Sequence, residues 1–143
     1  VLEYNVRFGD PECQVVVPRL ASDLAVHCLE SASGLPLSPV KFHDDACVTV
    51  VLAAEGYPAS PRTGDVVDGL DAAAAVPGVT VFHAGTKVRD DGAVVTAGGR
   101  VLDVTAVAPT VAEARARAYE AAELISWPGV QFRRDIAAAA ARR

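Results

Sequence analysis

Glu3, Asn5 and Arg7 alternate along the chain, separated by Tyr4 and Val6. If residues 1–8 form a strand, these polar side chains share one face, and Leu2, Tyr4, Val6 and Phe8 share the other. Same-face neighbours then lie about 7 Å apart. A carboxylate and an amide oxygen are hard donors that can share a Mg²⁺, with waters and phosphate oxygens filling its other positions. An arginine two residues on can grip an anion beside that metal. Asp10 adds a carboxylate where the chain turns at Gly9-Asp10-Pro11. A half-exposed strand with a solvated polar face accounts for the same string, which is short enough to occur by chance.

The elements around this stretch must position it. Asp10 suits a helix N-cap and Pro11 the first helical position, so strand passes to helix through a tight turn. A second helix is predicted from Ser22 to about Ser31, with Leu24, Cys28 and Leu29 facing inward. Ser33 to Pro39 is a linker by composition. A domain boundary is placed so that residues 1–43 form one unit and 44–143 another. Ala46–Ala54 is a Val-rich strand. Gly56–Gly64, with its prolines and glycines, is a loop, and Val66–Ala75 holds a short helical turn. Val79–His83 is a strand. Ala93–Ala97 and Val101–Ala106 are two more, joined as a hairpin by Gly98-Gly99-Arg100. Thr110 with Glu113 opens a helix whose stripe is Val111, Ala114, Ala118, Ala121, Ala122 and Ile125. Trp127-Pro128-Gly129 stops it. Val130–Phe132 adds a short strand and Asp135–Ala141 a terminal turn. The second unit is therefore α+β and mostly antiparallel.

The 143 residues are 51% apolar and 22% charged, enough for a folded core and too apolar for a disordered chain. A formal net charge of −5, with no basic block, argues against nonspecific nucleic-acid binding. Cys13, Cys28 and Cys47 form no CxxC pair, and with His27, His43 and His83 they show no zinc-ligand spacing. Three cysteines point to reduced thiols and a cytoplasmic protein. No uncharged apolar run reaches the ~18 residues of a membrane span. No signal peptide is visible. The chain opens at Val1, inside the apparent strand, so it is expected to be part of a longer protein.

Leu2 to Glu12 resembles the metal-site strand of the glycinamide ribonucleotide synthetases (phosphoribosylamine–glycine ligases), an ATP-grasp family. Further strings follow in family order: Val50 to Pro58, Thr63 to Val67, Val81 to Thr86, and Val94 to Leu102. Ala118-Tyr119, Trp127 and Arg134-Asp135-Ile136 close the series. The resemblance covers nearly the whole chain.

It implies an ATP-dependent ligase that joins 5-phosphoribosylamine and glycine through a glycyl phosphate, in the second step of purine biosynthesis. It implies the last strand and helices of an ATP-grasp core, then a small β-rich C-terminal domain of the rudimentary single-hybrid type. Glu3 and Asn5 would ligate Mg²⁺ or Mn²⁺ on the ATP phosphates. Arg7 would meet the glycine carboxylate or the acyl phosphate. Asp10 would orient an amine or take its proton, and equally well caps a helix. Glu12 fits the first helical turn. Arg100 would contact the ribose 5-phosphate, and a solvated hairpin charge is the plainer alternative. His83 is expected at the core edge, Arg62 and Lys87 on the surface, and Trp127 and Tyr119 in packing roles. The implied partners are these small molecules and the upstream N-terminal and ATP-binding domains of the same enzyme. Neither nucleic acid nor membrane is implied, and the enzyme would be a monomer.

The sequence departs from the family at Cys13, where a small polar residue is expected, at Pro18 inside a helix, and after Asp135-Ile136. The family's N-terminal domain, its Gly-rich loop and its nucleotide-holding lysines have no counterpart in these residues. Residues 1–143 alone are therefore expected to lack ligase activity. The competing readings are another purine-pathway ATP-grasp ligase or carboxylase, and a non-catalytic single-hybrid interaction module.

Overall fold

A computed structural model of the chain describes residue 2 and residues 6–142. The core is a three-stranded antiparallel sheet: β1 (Ala46–Ala53), β2 (Val79–His83) and, between them, β5 (Arg100–Ala108). A separate two-stranded sheet pairs β3 (Thr86–Val88) with β4 (Val94–Thr96). The helices are α1 (Cys13–Val16), α2 (Leu24–Ala32), α3 (Leu70–Ala74) and α4 (Val111–Leu124).

β1 alternates as its Val-rich sequence requires. Val48, Val50 and Leu52 are buried on one face, beside Leu102, Val104, Ala106 and Ala108 of β5. α4 lies across that face and buries Ala114, Ala118, Ala121 and Ala122 completely. Small side chains let helix and sheet approach closely, so the interface is dense although each alanine brings little area. Thr110 caps α4, its hydroxyl accepting from the Glu113 N–H at 3.2 Å. Trp127, 5% exposed, fills the space beyond the helix end, as its position after α4 predicts.

Several expectations change. Leu2, Val6, Arg7 and Phe8 are not in a strand, and Leu2, Val6 and Phe8 are exposed. A strand needs a ladder partner, and among the described residues none lies beside this segment. Asp10 does not cap a helix. α1 begins after Glu12, without a side-chain cap, and the Asp10 carboxylate is engaged elsewhere. Pro18 falls in a 3₁₀ turn over Val17–Arg19 that follows α1. α2 is capped by Asp23, whose Oδ1 accepts from the Ala25 N–H at 2.8 Å. Its Cys28 and Leu29 point outward, with Leu29 66% exposed. This helix is fastened instead through polar groups: the Ser38 N–H donates to Glu30 at 2.9 Å and the Lys41 N–H to Ser22 at 3.2 Å.

The expected hairpin of Ala93–Ala97 with Val101–Ala106 does not form. β4 pairs with β3, a strand absent from the sequence-based assignment, while β5 pairs with β1 and β2. The glycines serve a backbone crossing rather than a tight turn. A Cβ on Gly85 would stand 2.5 Å from the Arg100 carbonyl oxygen and 2.8 Å from Gly98 Cα, so neither strand could pass with a side chain there. His83 is exposed rather than packed at the core edge, because β2 is an edge strand. Its Nδ1 lies 2.9 Å from Thr86 Oγ1. No helix among the described residues is long and apolar enough to cross a membrane.

Candidate functional site

The sheet face opposite α4 mixes polar and apolar side chains. It carries Thr49 and Val51 of β1 and Asp103 and Thr105 of β5, with Thr105 Oγ1 donating to Thr49 Oγ1 at 2.7 Å. α1 and the turn before it pack on this side, and Gln14 reaches Asp103 from there.

Arg100 arrives on that face through a β-bulge. Leu52 faces Leu102, but Ala53 faces Arg100, so Val101 is an extra residue on β5. Simple alternation would place Arg100 with Leu102, under α4. The extra residue switches it to the side of Val51 and Asp103. There Arg100 Nη2 meets Asp10 Oδ2 at 2.9 Å, and its Nη1 donates to the Asp10 carbonyl oxygen at 2.9 Å. Asp10 and Arg100, ninety residues apart, are thus a gripped pair at the surface, their side chains 47% and 38% exposed. Beside them a cleft of about 390 Å³ is lined by Val51, Tyr57, Arg100, Gln131, Phe132 and Arg133. The Tyr57 ring lies against Gly99, where a Cβ would come within 2.4 Å of it.

Of the predicted site residues, the structure brings Asp10 and Arg100 together. Arg7 is exposed on the bend before them. Glu3 and Asn5 lie outside the described residues. Among the described residues, no group of three or more His, Cys, Asp or Glu is placed to hold a metal ion.

Two residues of this site escaped the sequence reading. Gln14 Nε2 donates to Asp10 Oδ1 and to Asp103 Oδ2, both at 2.9 Å. Asp103 is fully buried on the central strand. Their signals were available: Gln14 stands one helical turn after Asp10, and Asp103 is the lone charge in Val101–Ala108. Burial pushes the Asp103 carboxyl above the usual carboxylate range, and the nearby Asp10 charge adds to this; Gln14 and Arg100 pull it back in part. A raised native pKa means the folded chain holds the proton more tightly. The stability this contributes is fully present below the unfolded value of about 3.9 and is lost as pH rises through the native one. Asp103→Asn is therefore expected to melt higher than the parent chain at neutral pH, with the gap closing toward about pH 4. Thermal melting across that range checks this, and equal shifts at both ends would contradict it.

The described residues thus make an antiparallel α+β unit in which a bulge turns an arginine onto a carboxylate from a preceding turn. The chain belongs to the phosphoribosylglycinamide synthetase C-domain family, whose model matches residues 47–139. It is 52% identical over 145 residues to the phosphoribosylamine–glycine ligase of Streptomyces coelicolor, covering 99% of this chain and 35% of that protein. It is 50% identical over 137 residues to the ligase of that name from Brucella melitensis, covering 95% of this chain and 32% of that protein. A chloroplastic phosphoribosylamine–glycine ligase of Arabidopsis thaliana is also 50% identical, over 139 residues. The crystal structure of the Thermotoga maritima phosphoribosylamine–glycine ligase superposes with a TM-score of 0.80 at 40% identity, over 95% of this chain and 33% of that one. The chain thus spans about a third of the length of these bacterial relatives.

Proposed function

We propose that this chain is the C-terminal part of an ATP-dependent, ADP-forming ligase that joins 5-phosphoribosylamine to glycine in purine biosynthesis. The observation that carries this reading is the near-complete coverage of the chain, at about half identity, by relatives named for that reaction. In this reading residues 1–43 end an ATP-grasp domain and residues 44–143 are the C-terminal domain of rudimentary single-hybrid type. The upstream domains supply the nucleotide site, and the enzyme acts as a monomer. The three free cysteines fit a reducing, cytoplasmic setting, although the Arabidopsis relative is described as chloroplastic.

The reaction has two transfers. A glycine carboxylate oxygen bonds to the γ-phosphorus of ATP and ADP leaves, giving glycyl phosphate. The amine of phosphoribosylamine then attacks the acyl carbon, phosphate leaves, and the nitrogen loses a proton. Glu3 and Asn5, a carboxylate and an amide oxygen, are the donor types that hold Mg²⁺ or Mn²⁺. Glu3 and Asn5 would hold such a metal, whose chemistry when bound would be to neutralise the triphosphate and orient its γ-phosphoryl group. Arg7 holds the glycine carboxylate or the acyl phosphate. Arg100 donates one N–H to the Asp10 carbonyl and pairs its charge with the Asp10 carboxylate, which leaves other N–H groups of its fork for the ribose 5-phosphate. Asp10 Oδ1 accepts a hydrogen bond from Gln14 and Oδ2 is ion-paired with Arg100, which suits holding Arg100 better than orienting the amine or taking its proton.

The test is ADP release by the full-length enzyme, with phosphoribosylamine generated in the cuvette. ADP release that requires both phosphoribosylamine and glycine is the expected result. Release that ignores glycine would move the assignment to another ATP-grasp ligase.

A further inference from the structure

Asp103, Gln14, Asp10 and Arg100 form a closed ring. Asp103 and Arg100 sit on the same strand, β5, at its buried middle and at its bulged start. From Asp103 Oδ2 the ring runs through Gln14 Nε2 to Asp10 Oδ1, then from Asp10 Oδ2 to Arg100 and back to β5. Each link is 2.9 Å long. The orientation of the Gln14 amide is forced, since reversing it would aim its oxygen at two carboxylates. Both N–H groups of that amide are therefore committed to the ring.

Such a ring is poorly explained as a device for stability. Asp103 is fully buried between Val51 and Phe82 on the neighbouring strands, where a carboxylate is costly. Asp103 Oδ1 and Gln14 Oε1 are both buried without a partner. Departures from a well-satisfied apolar interior concentrate where function requires them. What the ring does is geometric. The Asp10–Arg100 pair alone is two half-exposed side chains, free to rotate at little cost. Gln14 and Asp103 tie the Asp10 carboxylate to the rigid centre of the sheet.

We propose that Gln14 and Asp103 are positioning residues that fix the Asp10 carboxylate and, through it, hold Arg100 in place for the sugar phosphate. This rests on the reading of Arg100 as a phosphate contact, and the experiment separates the two. Steady-state kinetics of the full-length enzyme are measured for Gln14→Met, Asp103→Ala, Asp103→Asn and Arg100→Ala, alone and with Arg100→Ala as background. Met keeps the volume of Gln14 and removes both donors, and Asn keeps the acceptor of Asp103.

Gln14→Met and Asp103→Ala are expected to raise KM for phosphoribosylamine about tenfold, the scale of one hydrogen bond to a charged group. The kcat and the KM values for ATP and glycine should stay within about twofold, since the ring touches neither. Asp103→Asn should recover the parent KM. In the Arg100→Ala background the first two changes should add nothing, because they act through Arg100. Unchanged KM in Gln14→Met overturns the inference while a raised KM in Arg100→Ala leaves the phosphate reading standing. Full additivity with Arg100→Ala also overturns it. An unaltered KM in Arg100→Ala removes the phosphate reading itself and the inference with it. Should Asp103→Ala fail to fold, Gln14→Met decides.

Discussion

Replacing Glu3 by Gln and Asn5 by Ala in the full-length enzyme is expected to lower kcat about a thousandfold, the scale of losing charge stabilisation by a bound metal. Glu3→Gln is nearly isosteric, so it removes charge rather than shape. Asn5→Ala removes the second oxygen donor. Both positions alternate with apolar residues, Tyr4 and Val6, in the sequence. The loss should fall on kcat more than on KM for phosphoribosylamine, because the proposed metal acts on the phosphoryl transfer that precedes the sugar amine. If the pair were only a solvated strand face, the same changes would alter stability by about 1 kcal/mol or less and leave turnover intact. Turnover kinetics with a melting curve on each variant therefore separate the readings, and an undiminished double variant would remove the metal-site proposal.

Arg100→Ala is expected to raise KM for phosphoribosylamine about a hundredfold, which matches the loss of a charge-assisted, forked contact to a phosphate. Arg100→Lys should recover only part of this, because an ammonium restores charge without the planar fork. The prediction follows from the bulge as much as from the residue. Without the extra Val101, the guanidinium would turn under α4, into the apolar layer of Leu52, Leu102 and Val104. With it, Arg100 borders the cleft with Tyr57 and Arg133 and is braced by Asp10. Asp10→Asn should produce a smaller rise, since the neutral side chain still offers an oxygen to Gln14 or Arg100 but no longer a charge.

The parts of this fold that were legible in the sequence are those set by local periodicity and end signals. Val79–His83 is predicted and found with the same bounds, and β1 differs from its prediction by one residue. α4 was readable because its cap, its alanine stripe and its Trp-Pro-Gly stop all act within a few residues of one another. The α+β, antiparallel character follows from those elements. Asp10 stood out as a carboxylate where the chain turns, family resemblance suggested its role and that of Arg100, and the structure places the two together.

What failed depended on partners distant in the chain. The stretch before Asp10 has strand periodicity, yet its described residues Val6, Arg7 and Phe8 form none, because a strand is a property of a pair. β4 was assigned to the wrong neighbour because adjacency in sequence is only a prior for pairing. The close crossing at Gly85 and Gly98 directs β4 to β3 instead. Cys28 and Leu29 lie on an apolar helical face that finds no cover among the described residues.

The amino-acid sequence by itself determined β1, β2 and α4, the helix face that packs in the core and the kinds of group available for chemistry, because propensity, capping and alternation act over a few residues. Only the tertiary structure decided which face Arg100 takes, that Asp10 grips it rather than capping α1, and that Gln14 and Asp103 close the ring behind them. Those outcomes hang on one inserted residue in the register of β5 against β1 and on hydrogen bonds spanning about ninety residues, and no local rule encodes either.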